Sequence, residues 1–337
     1  MPPRLRQELE EKQQNRLTTV LLEFDDGVLL ALLIPTSQFM QTKVLITIDT
    51  EVRTHGRPDA FDHDVAGRSQ SNSRGAYWIA DQLKSYGFAG VFFLDVYGSG
   101  RFRGAPYREL CEGLLERGQD IQLHTHPDQM YDSKRRNMHE YSLAEQTGIV
   151  RDGMALLKDW TGKSPIAHRA GSYGANEDTL KALRVNGILL DSSFFCGRAN
   201  CKLPFGNSNS PFKSHDVWEI PVTIAPEPVE KLGFRFPFWT RHFWKRYIKL
   251  DVNAMCPIQI CRSVRQLHGA IPYMITFLHS FSFMRWKTDE PDERAIASFH
   301  SLLRLLADME IPVVTFEQIA AELGVDSQGE PRPVIRA

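Results

Sequence analysis

The chain has 337 residues, 42% of them hydrophobic, with 40 lysines and arginines against 41 aspartates and glutamates. A soft prior of about 150 residues per domain fits two domains or one α/β barrel with insertions, and either buries a large core without staples. The near-cancelling charges exclude a global field that would steer the chain to nucleic acid or an anionic membrane. Five cysteines, an odd number, do not read as a disulfide framework, which favours a reducing cytoplasm.

Residues 1–16 are charged and polar, unlike a secretory signal. The apolar run from Val20 to Ile34 is broken by Glu23, Asp25 and Asp26, too short and too charged to span a bilayer. Residues 1–39 therefore read as an extension ahead of the first convincing strand, or as an over-long start. That strand, Thr42 to Ile48, is β-branched and ends in Asp49-Thr50-Glu51. A polar loop with His55, Asp62, His63 and Asp64 follows, then a helix over Tyr77 to Tyr86, a strand over Ala89 to Val96 and a helix over Tyr107 to Arg117 closed by Gly118.

Asp120 to Asp128 alternates apolar and polar residues before presenting His124, Thr125, His126 and Asp128, with Pro127 turning the backbone. Imidazoles and carboxylates at a strand end suit a divalent cation with nitrogen and oxygen donors. Asn137 to Trp160 is read as a helix. Ile166 to Gly174 is a strand entering a small-residue loop, Glu177 to Val185 a helix, and Ile188 to Ser193 a strand ending near Asp191. Residues 195–216 read as loop and Trp218 to Thr223 as a strand interrupted by Pro221.

Gly233 to Leu250 holds five basic residues, seven aromatics and no acid, a composition suited to a glycan, a polyanion or a membrane surface, or to aromatics packed on the barrel with basic heads in water. Tyr273 to Leu278 is the last strong strand and delivers His279. A helix over Glu290 to Met309, a short strand over Pro312 to Thr315 and a helix over Phe316 to Leu323 close the pattern. Alternation of strand and helix argues for parallel pairing with crossover helices. The equal spacing of Cys196 with Cys201 and of Cys256 with Cys261 allows a structural zinc site or small buried thiols.

Five polar clusters thus stand at strand ends: Asp49 with Glu51, His124 with His126 and Asp128, Arg169 with Tyr173, Asp191, and His279. In order and chemistry they resemble the polysaccharide deacetylases, the NodB-homology or carbohydrate esterase 4 family, over residues 43–320. The resemblance implies an α/β fold, a distorted (β/α) barrel of about seven parallel strands. It also implies removal of N- or O-acetyl groups from glycans with one divalent metal ion, zinc first, with cobalt, manganese or nickel as alternatives.

Thr47-Ile48-Asp49-Thr50 looks like the first family motif, with Asp49 as general base. Threonine replaces the usual second aspartate, and Glu51, on the same face of an extended strand as Asp49, is expected to serve as metal ligand. Glu23-Phe24-Asp25-Asp26-Gly27 spells that motif more literally, but no fitting helix and strand follow at the needed distance. In the second motif Asp128 stands where a histidine is usual, so His124 is joined by His126 or Asp128, with the imidazole preferred for zinc-like cations. Arg169-Ala170-Gly171-Ser172-Tyr173 is similar to the third, with Gly171 for proline. Arg169 would hold Asp49 ionised, and the amide near Tyr173 would donate to the oxyanion. Asp191 would tune the acid His279, which follows Phe277-Leu278; Gly171, Ser172 and Leu278 are expected to touch substrate.

The resulting expectation is a cytoplasmic deacetylase of an N-acetylated sugar, nucleotide-sugar or lipid-linked glycan, with peripheral membrane contact through 233–250 and no nucleic acid. Residues 1–39 would be an extension, 40–324 the barrel with an insertion near 195–265, and 325–337 a flexible tail. The sequence carries no signal of oligomeric state. The rival readings are a non-catalytic glycan-binding relative, favoured by Thr50 and Asp128, and an amidohydrolase-type barrel, disfavoured because its His-x-His lies on the first strand.

Overall fold

A computed structural model describes residues 17–23, 29–35, 41–53, 58–69, 72–100, 104–206, 209–226, 247–285 and 290–325, the first two of these as backbone only. Those two are strands, β1 (Leu17–Glu23) and β2 (Leu29–Pro35), paired as an antiparallel hairpin. Asp25 and Asp26 lie outside the described residues, as do His55 and most of the aromatic and basic stretch.

The rest of the described chain is built on one curled sheet. Its strands are β3 (Lys43–Thr50), β4 (Val91–Asp95), β5 (Asp120–Thr125), β6 (Ala167–Ala170), β7 (Leu190–Asp191), β8 (Phe212–Ser214), β9 (Val217–Glu219) and, after the short antiparallel pair β10 (Ile224–Pro226) and β11 (Tyr247–Lys249), β12 (Tyr273–His279). The order is β12-β3-β4-β5-β6-β7-β9-β8; every pairing is parallel except the edge pairing of β8 with β9. Between β9 and β12 the curl is bridged by single bonds: Leu250 N–H donates to Thr223 O and Phe277 N–H to Leu250 O. The result is a distorted half-closed barrel, as the alternation of strand and helix predicts.

Helices α1 (Ala76–Ser85), α2 (Ala105–Glu116), α3 (Leu143–Thr161), α4 (Glu177–Val185), α5 (Pro257–Leu267), α6 (Glu293–Asp308) and α7 (Phe316–Glu322) complete the fold. Because side chains alternate along a strand, each strand serves two cores. Val44, Ile46, Ile48, Phe92, Leu94 and Leu278 pack outward with the helices, whereas Leu45, Val91, Phe93, Ala167, Leu190 and Ile275 pack inward. Phe316 and Ile319 of α7 join the inward cluster, with Phe316 edge-on to Phe93 at 5.5 Å. Apolar side chains thus fill the interior, and the polar ends of β3, β5 and β12 are left to form a site.

Two helices differ from the sequence reading. The predicted helix over Asn137 to Trp160 begins only at Leu143, because Ser142 and Glu145 form a capping box, and Asn137 with Glu140 forms a separate one on a short 3₁₀ turn. Helix α5, inside the predicted insertion, was legible in Pro257 at its first turn and in the spacing of Ile260, Val264 and Leu267, all buried. Pro312 to Thr315 contributes a single bridge, Val313 to Val44, rather than a strand.

Candidate metal and catalytic site

Parallel register brings distant residues level. His279 lies across from Asp49, Asp95 from His124, and His124 from Arg169. Asp49, with 4% exposure, and Arg169, with none, form the base of the site. Arg169 Nη1 donates to Asp49 Oδ1 at 2.7 Å and to Thr47 Oγ1 at 3.0 Å, Nε to Ser192 O at 3.0 Å, and Nη2 to Ser192 Oγ at 3.1 Å. The guanidinium also lies 4.2 Å from the Phe93 ring centre. Burial works to raise the Asp49 pKa, but Arg169, His124 and His279 outweigh it and hold the carboxyl below its ordinary value.

Glu51, His124 and His126 each aim a donor atom at one point, the three atoms lying within 4.8 Å of one another. Thr50, between the two acids, faces the other way and bonds to Ile48 O, as the strand's period of two requires. His124 Nδ1 is 2.9 Å from the carbonyl of Arg169, which can only accept, so Nδ1 donates there and Nε2 is turned to Glu51 Oε2 at 3.4 Å. His126 Nε2 touches the same Glu51 oxygen. Burial would lower the His126 pKa, but Glu51, Asp95 and Asp128 raise it to about 9, while the two imidazoles hold Glu51 well below the usual carboxylate range. Two imidazoles and one anion converging in this way fit a divalent cation, which would take the place of the proton on His126.

Gly171 explains how His126 fits. A Cβ there would stand 2.6 Å from the imidazole Cε1 and Nε2 and from Thr125 O, so only glycine lets the ring lie against the loop. The loop then bends sharply, with Ser172 at φ 51° and Tyr173 at φ 62°, left-handed values that cost a non-glycine residue about 1–3 kcal/mol each. His279 completes the group, its Nε2 3.5 Å from Glu51 Oε1 and its ring stacked on Phe281 at 4.7 Å. Burial and Lys249 lower the His279 pKa, against Glu51, Asp49 and Asp251, which raise it.

Three expected site residues lie elsewhere. Leu190 faces the barrel interior, so Asp191 faces outward, 2.8 Å from His168 Nδ1 and bonded by Ser193 Oγ. Asp251, in the segment bridged to Phe277, acts on His279 alongside Glu51 and Asp49. Leu278 is fully buried in the outer core, because Phe277 and His279 on either side of it face the mouth. Asp128 sits in the 3₁₀ turn started by Pro127 and pairs with Arg136 at 3.8 Å, outside the three-donor group.

The sequence reading passed over Asp95, Ser192, Lys249 and Asp251. Asp95 is 2% exposed, accepts from Tyr97 N–H and Gln129 Nε2, and is raised to about 6 by burial despite His126 and His124. Its position at the end of a predicted strand was the available signal. Cys196, Cys201, Cys256 and Cys261 form no disulfide and join no three-donor cluster among the described residues. No described helix is long and apolar enough to cross a membrane.

No protein-family model matches the sequence, and no curated protein does. Among solved structures the chain is similar to a Mycobacterium smegmatis protein described as a polysaccharide deacetylase, at a TM-score of 0.52 and 16% identity, over 95% of this chain and 100% of that one. It is also matched to a family 4 carbohydrate esterase from Streptomyces lividans, with a TM-score of 0.43, 12% identity, and 81% and 92% coverage. A Bacillus subtilis peptidoglycan deacetylase matches at a TM-score of 0.39, 15% identity, and 84% and 96% coverage. At these identities the first likeness establishes a shared fold.

Proposed function

We propose that this chain is a metal-dependent hydrolase that removes the acetyl group from an N-acetylated sugar, in an intermediate of surface-polysaccharide synthesis. The observation that carries the reading is the convergence of an ionised Asp49, a three-donor cluster and His279 on one mouth. The substrate class follows from the motif resemblance, and the likeness of fold agrees with it.

Glu51, His124 and His126 would hold the cation. A divalent ion bound there supplies an acidified water and a polarised acetyl carbonyl. Asp49, kept charged by Arg169, accepts the proton of the attacking water. The Tyr173 amide donates to the developing oxyanion, a contact worth about 3–4 kcal/mol when such a donor is lost. His279 then passes a proton to the departing sugar nitrogen, with Asp251 favouring its charged form. Arg169 remains in place through the cycle because Ser192 and Thr47 satisfy its other donors.

Purified protein supplied with zinc, cobalt or manganese should release acetate from N-acetylated sugars, nucleotide-sugars or lipid-linked glycans. His279→Ala should abolish turnover and leave metal content intact. No acetate from any of these substrates would refute the reading.

A further inference from the structure

Lys249 belongs by sequence to the aromatic and basic stretch, yet its ammonium reaches into the mouth. Its side chain is 19% exposed and that of its partner Asp251 8%. Nζ lies 3.1 Å from Asp251 Oδ2, donates to Tyr173 Oη at 3.2 Å, and sits 3.3 Å from the centre of the Phe277 ring. An ammonium is buried this far only where counter-charge, acceptor and ring face replace its water.

These contacts join parts of the mouth that are far apart in sequence. Tyr173 lies at the end of the left-handed turn after β6, 76 positions from Lys249. Its ring is braced edge-on by Phe195 at 5.1 Å and tilted against Phe277 at 6.0 Å. Those contacts fix the ring's plane, and the bond to Lys249 fixes its far end. Phe277, under the ammonium, is itself 4.8 Å from the His279 ring. Lys249 therefore touches both the loop that offers an amide and the strand that offers an imidazole. A left-handed Ser172–Tyr173 pair persists only where its surroundings over-determine it.

We propose that Lys249 is a positioning residue. Through the Tyr173 hydroxyl it holds the Ser172–Tyr173 backbone in the geometry that presents the Tyr173 amide to the substrate carbonyl. The catalytic part of this inference rests on the deacetylase reading; the loop-holding part does not.

Lys249→Met keeps the stem on Phe277 and removes the ammonium, while Lys249→Arg keeps charge and donor. Amide exchange of metal-loaded protein, resolved over residues 171–175, should quicken about tenfold in Lys249→Met and elsewhere stay as in the wild type. Acetate release should show kcat lowered about 10- to 100-fold, because the oxyanion donor is loosened rather than deleted, with KM within about twofold. Metal content should not change, and Lys249→Arg should recover both readouts. Exchange over 171–175 unchanged in Lys249→Met would overturn the proposal, and so would protection lost evenly across the sheet, the mark of mere fold support. If the wild-type chain releases no acetate, the deacetylase reading falls, and the exchange difference alone decides whether Lys249 holds the loop.

Discussion

Replacing Arg169 by methionine tests how the base is kept charged. The substitution keeps an unbranched apolar stem beside Phe93 and deletes four bonds: those to Asp49, Thr47 and the backbone and side chain of Ser192. What remains is a carboxylate at 4% exposure without its main counter-charge. Removing one partner of a buried ion pair costs about 3–5 kcal/mol, because the charge left behind is uncompensated. With that counter-charge gone the Asp49 carboxyl should titrate higher than in the wild type, where Arg169 holds it low.

Urea denaturation gives the magnitude and its pH dependence gives the cause. In the wild type the Asp49 carboxyl is held low, so its charge stabilises the fold above about pH 4, and this contribution is lost as pH falls through the lower folded value. Arg169→Met should lose about 3–5 kcal/mol at pH 7 and lose that acid-side dependence. Adding Asp49→Asn removes the stranded charge and should restore about 1–3 kcal/mol. A single variant within about 1 kcal/mol of wild type, or a double variant no more stable than the single, would refute the reasoning.

Gly171→Ala should push the His126 ring away, since the new methyl would meet it at 2.6 Å, and should weaken zinc binding about 10- to 100-fold in chelator competition while the fold persists. His126 is raised to about 9, so in metal-free protein its contribution to stability is complete below about pH 6.5 and lost as pH rises through 9. Zinc binding near pH 7.5 should accordingly release about one proton, seen by calorimetry in buffers of different ionisation heat; no release would contradict the pairing of His126 with Glu51. Asp251→Asn should move the alkaline limb of the rate profile to lower pH, because Asp251 favours protonated His279, whereas Asp191→Asn should leave that limb in place.

The strand ends were legible because buried parallel strands announce themselves as β-branched runs and polar residues interrupt them only where the barrel opens. Period-two alternation from Asp49 to Glu51, across a threonine that faces away, was readable in the same way. The same rule, applied to Leu190, would have turned Asp191 outward; a two-residue strand offers too little pattern to settle its face. Leu278 misled for a related reason, since nearness in sequence to His279 says nothing about side. Lys249 and Asp251 were hidden because their role depends on the chain crossing the gap between β9 and β12, a contact separated by dozens of residues with no periodic trace.

Metal stoichiometry after dialysis against zinc tests most directly whether distant strand ends gather on a single cation. The wild-type chain and His279→Ala should each retain one equivalent, and His124→Ala should retain none. A wild-type chain that emerges without stoichiometric metal, or a His124→Ala variant that keeps it, would contradict the account.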